Sequence, residues 1–125
     1  MEAKSAARAI ASIRAAYGIT CLIAPTLVGR MTVGRDAQRS GTRWALRGLA
    51  ARDLILAFGL HDALRENRET GRWLLFGALA DAADTVAGVA GARTLPKTGT
   101  AILLAGSPAA IAAALWARAR PIRST

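Results

Sequence analysis

The chain has 125 residues, room for one domain and no more. Hydrophobic residues make up 53% of it, yet only six residues are aromatic and twelve are glycine, which suits close helix packing better than a water-soluble core of large interlocking side chains. The net charge of +9 gathers at the ends of apolar stretches, without interleaved aromatics or zinc-finger spacing, so the expected partner is the lipid bilayer with its anionic head groups and not nucleic acid.

Ala, Leu and Arg rank high in helix propensity, and no strand-like alternation runs for any useful length. The expected fold is all-α, a four-helix transmembrane bundle forming a single domain over 1–125. Its helices are expected at about 10–28, 44–64, 73–92 and 99–117.

Lys4, Arg8 and Arg14 precede the first apolar run and read as its basic flank. A basic start before a short apolar run resembles a secretory signal peptide, but no small-x-small site follows. Ile10, Ile13 and Tyr17 already stand at helical spacing, which favours a retained helix. Cys21 lies inside this run and reads as a small buried hydrophobe. Residues 30–42, rich in Gly, Arg, Ser and Thr, read as the longest exposed connection.

The second helix is unusual for a membrane span, because Arg47, Arg52, Asp53, His61 and Asp62 all fall within it. A polar turn follows at 65–71. The third helix carries only Asp81 and Asp84 as charges before a turn around Pro96. The fourth, 99–117, has nineteen residues and no charge, leaving no polar face for a soluble bundle to present to water. Twenty helical residues span the roughly 30 Å of bilayer hydrocarbon. Trp44, Trp73 and Trp116 stand at helix ends, where interfacial tryptophans belong.

With four spans, both termini and the 65–72 turn share one side. That side holds Lys4, Arg8, Arg14, Arg65, Arg68, Arg72, Arg118, Arg120 and Arg123, nine basic residues against six on the other. By the positive-inside rule both termini are expected in the cytoplasm, with the chain multi-pass in the cell membrane.

An Arg or Asp at the centre of a span costs about 2.5–3.5 kcal/mol and so turns inward. Folding the second and third helices about residue 68 brings Arg52, Asp53, Asp81 and Asp84 within one turn of the midplane, with Arg52 near residue 85 and Asp81 level with Leu56. Glycines flank these charges at helical spacing: Gly48 and Gly59 on one helix, Gly77, Gly88 and Gly91 on the other. They are expected to let the backbones approach so that guanidinium and carboxylates meet. Three carboxylates then face Arg52, with Arg47 available to a second.

His61, beside Asp62, reads as a polar interfacial residue; with no metal-ligand companions, no metal and no cofactor are expected. A serine–histidine pair and a phosphate-binding loop are not evident. The expected function is that of a non-enzymatic membrane bundle, packed against itself as a homo-oligomer or within a larger complex, its charged seam acting as a clamp. One alternative is a small proton-coupled transporter using a surplus carboxylate, Asp81 being the candidate. Another is a membrane enzyme acting on a lipid-soluble substrate.

The pattern Arg43-x3-Arg47-Gly48-x3-Arg52-Asp53-x5-Gly59, followed by Asp81-x2-Asp84, is similar to the small four-span membrane proteins of actinobacteria and related bacteria, a family of unknown function. It also resembles the wider DoxX-like group. The likeness covers residues 43–91 and implies a four-helix bundle in the cytoplasmic membrane, with no established activity attached.

Overall fold

A computed structural model describes residues 2–120; Arg123, counted above among the basic flanks, lies outside the described residues. The described chain is helical throughout, and its helices number five where four were expected. Helix α1 spans Ala3–Ile23, α2 Pro25–Thr32, α3 Ser40–Arg65, α4 Gly71–Ala90 and α5 Lys97–Arg118. Short 3-10 turns at Gly34–Gln38 and Ala92–Thr94 join α2 to α3 and α4 to α5.

The additional helix comes from Pro25. A proline lacks the backbone N–H and disfavours the helical conformation in the residue before it. Ala24 accordingly leaves the helix at φ −130°, ψ 60°, and Pro25 opens α2 as its first residue. What reads in sequence as one helix to residue 28 is therefore α1, a corner and α2. The supposed loop at 30–42 is mostly helical too: it closes α2, makes a 3-10 turn and begins α3 at Ser40.

Helix α3 ends in a left-handed residue, Asn67 (φ 51°), and the Arg68 N–H bonds back to the Ala63 carbonyl at 2.8 Å. That closing bond satisfies a carbonyl the helix leaves free and turns the chain sharply into α4. In α5, Pro108 has no N–H to give the carbonyl four residues back, and the turn ahead of it, Ile102–Gly106, widens into a π-helix.

Helices α1, α4 and α5 are each long and apolar enough to cross a membrane. Helix α3 is longer, at 26 residues, but is not apolar enough to join them, since Arg43, Arg47, Arg52, Asp53, Asp62 and Arg65 stand along it. α1 packs chiefly against α3, and α4 against α5, with α1 and α5 also in contact. Lys4 approaches Asn67, and Gly71 lies against Arg118, so the start of α1, the α3–α4 turn and the end of α5 share one end of the molecule. The Thr98 hydroxyl donates to the Met31 carbonyl at the other end.

Two apolar clusters fill the interior. Ala6, Ala7, Ala11, Leu60, Leu64, Leu74 and Ala117 form the larger, near the first end; Cys21, Val28 and Ala50 form the smaller, towards the second. Outward, the molecule shows a belt of large apolar side chains, among them Ile13, Ile23, Phe58, Val86 and Leu104. Of the three tryptophans only Trp44 is fully exposed. Trp73 packs over Gly59 and meets Phe76 edge-on at 6.4 Å, and Arg120 lies 4.3 Å over the Trp116 ring.

Candidate functional site

Between the two apolar clusters lies a layer of charge. Arg14 stands one residue from the centre of α1, Arg52 and Asp53 straddle the centre of α3, and Asp81 is at the centre of α4. Arg14 Nη1 donates to Asp53 Oδ1 at 2.9 Å, while its Nη2 donates to Asp81 Oδ2 and to the Gly77 carbonyl at 3.1 Å. Arg52 binds Asp84 through two parallel bonds, Nη1 to Oδ1 at 2.9 Å and Nη2 to Oδ2 at 2.6 Å, and reaches Asp53 Oδ1 at 3.4 Å.

The five side chains form an alternating line: Asp81, Arg14, Asp53, Arg52, Asp84. Two-point guanidinium–carboxylate pairing is both strong and geometrically selective, which is why arginine suits this place better than lysine. Asp53 sits at the middle, shared by both arginines, with its side chain only 7% exposed. Arg14 is nearly as enclosed, at 11%. Asp84 at the far end is the most open, at 41%.

The register expected of the α3–α4 hairpin agrees with this geometry at Arg52, which meets Asp84. Asp53 and Asp81 join the same line as expected, but through Arg14 of α1, which the hairpin register leaves out. Asp81 is not the carboxylate left without a cation, because Arg14 of α1 holds it. The second arginine is Arg14 and not Arg47, which is exposed and makes no side-chain bond among the described residues. Arg14 therefore leaves the tally of basic flanking residues, which becomes eight against six.

A reading that starts the apolar run after Arg14 leaves it among the flanking residues. The signal was present nonetheless. Ala7, Ala11, Arg14, Gly18 and Cys21 recur at intervals of four, three, four and three, and all but Arg14 are fully buried small residues. α3 and α4 carry their charges on stripes of that same spacing.

The remaining expected site residues separate. Asp62 pairs with Arg68 at the end of α3, and His61 points outward. Among the glycines, Gly59 lies under the Trp73 ring, Gly77 under the Arg14 guanidinium and Gly88 under Leu103. Gly48 faces open space and Gly91 meets only its own helix, so neither brings two helices together. Gly18, on α1, does so instead, against Leu54 and the Ala50 carbonyl.

Beside the charged line is a cavity of about 540 Å³, walled by Ile10, Ile13 and Tyr17 of α1 and by the π-helical turn and small residues of α5, with Arg14, Asp53, Asp81 and Asp84 at its polar side. Among the described residues no group of His, Cys, Asp and Glu is placed to hold a metal ion. Comparison with known proteins finds no matching family model, curated protein or solved structure.

Proposed function

We propose that this chain is a multi-pass protein of the cytoplasmic membrane with four spans, α1, α3, α4 and α5, and that it acts without catalysis as a bundle packed in the membrane with copies of itself or with a larger complex. The observation that carries this reading is the charged line at the middle of the helices. Alone, α3 is too polar to enter hydrocarbon, since charge at the middle of a span is costly unless it is turned inward and paired. Here Arg52 and Asp53 find partners on α4 and α1, so the cost of placing α3 in the bilayer is met inside the bundle. The apolar belt on the outer face supports the same reading.

The clamp explains why the charges are held in this order. A Leu-rich interface between helices slides readily in lipid, whereas a two-point arginine–carboxylate contact has one register. Both ends of the molecule carry arginines, and the eight-to-six excess favours the end with the termini as the cytoplasmic one. Reporter fusions test this directly. A fusion after Thr98 should report the outer face and a fusion at the C-terminus the cytoplasm. Purified protein that stays monodisperse in buffer without detergent would sink the membrane reading.

A further inference from the structure

We infer that the cavity beside the charged line is a binding site for a monovalent organic cation, a protonated amine on an apolar body, entering sideways between α1 and α5. Three features of the site select this class. The first is charge. Three carboxylates against two guanidiniums leave the line with one net negative charge in a setting of low dielectric, where a single positive charge is strongly attracted and an anion is excluded.

The second is free hydrogen-bonding capacity. Asp53 is more than nine-tenths buried, yet only its Oδ1 accepts bonds; Oδ2 receives no donor among the described residues. Asp81 Oδ1 is likewise without a donor. Neither oxygen is sealed from space, and both residues line the cavity. Two carboxylate oxygens with open lone pairs call for N–H donors, which a protonated amine supplies and a quaternary ammonium does not.

The third is shape. The cavity of about 540 Å³ falls within the range of small-molecule sites, and its walls are Ile10, Ile13, Tyr17, Ile102 and the alanines of α5. Ile13, Tyr17 and Ile102 also stand at the outer surface, which opens the cavity towards the surrounding lipid and not only towards water. A proton alone could cancel the surplus charge, but it would leave this apolar volume unused. A hydrophobic amine uses both the charge and the volume.

The inference rests on the membrane reading, and its test keeps the two apart. Full-length protein in lipid nanodiscs is dialysed against adamantan-1-amine, adamantan-1-ol or adamantane-1-carboxylate, three probes of one shape that are cationic, neutral and anionic near pH 7. Empty nanodiscs give the background partitioning into lipid. The expected result is saturable retention of the amine, near one per chain, with the alcohol and carboxylate held at least tenfold more weakly. Asp81→Asn, which removes the surplus charge, should weaken the amine at least tenfold. Ala110→Phe, which fills the cavity from α5 and leaves every charged residue of the line in place, should abolish retention. Should Asp81→Asn not fold, Ala110→Phe alone decides. Amine retention no greater than in empty nanodiscs, equal retention of all three probes, or retention unchanged by Ala110→Phe overturns the site. A chain that never enters nanodiscs fails the membrane reading instead.

Discussion

At the scale of single residues, the two kinds of arginine in this chain have opposite expected consequences. Removing Arg14 strands Asp81 and leaves Asp53 only its 3.4 Å contact with Arg52, and breaking an enclosed pair typically costs about 3–5 kcal/mol. Arg47, exposed and without a bonded partner, belongs with surface substitutions, which stay within about 0.5 kcal/mol. Thermal unfolding in detergent, followed by circular dichroism, should therefore separate Arg14→Ala from Arg47→Ala by several degrees or more. Equal behaviour of the two would place Arg14 among the interfacial anchors after all. The sequence made Arg52, Asp53, Asp81 and Asp84 legible, because charge inside an apolar helix is costly wherever it occurs. It concealed Arg14, because a basic residue near the start of an apolar run has an inexpensive alternative explanation.

Among whole elements, the stripes of small residues read well as a pattern and less well as contacts. Spacing puts residues on one face of a helix but does not say which helix covers that face. Gly59 and Gly48 illustrate this, lying eleven residues apart on the same predicted stripe. A methyl group on Gly59 would collide with the Trp73 ring, whereas one on Gly48 meets nothing within 4 Å. Gly59→Ala should lower stability. Gly48→Ala should leave it unchanged or raise it by up to about 1 kcal/mol, the helix-propensity gain of alanine over glycine. Paired melts of the two variants check this, and a greater loss from Gly48→Ala would contradict the assigned packing. The corner at Pro25 was equally present in the sequence, as the one residue in the first apolar run that cannot continue a helix. Hydropathy averages over such a residue, and so the run reads as a single span.

On the scale of the whole molecule, the charged line ties together helices that the chain order keeps apart. Its bonds join α1 to α3, α1 to α4 and α3 to α4, while α5 closes the cavity on the open side. The α3–α4 part was legible because a short turn fixes the register of adjacent helices. The α1 part was not, since nothing in a single sequence places the first helix against the third and fourth. The central claim is that Arg14 reaches across the bundle to Asp81, and a double-mutant cycle measures it. Arg14→Leu, Asp81→Leu and the double variant are compared by unfolding in the same detergent. The double variant is expected to be more stable than the sum of the single losses allows, by at least about 1 kcal/mol, as contacting residues show. Losses that add to within about 0.5 kcal/mol, as for sites that share no partner, would contradict it.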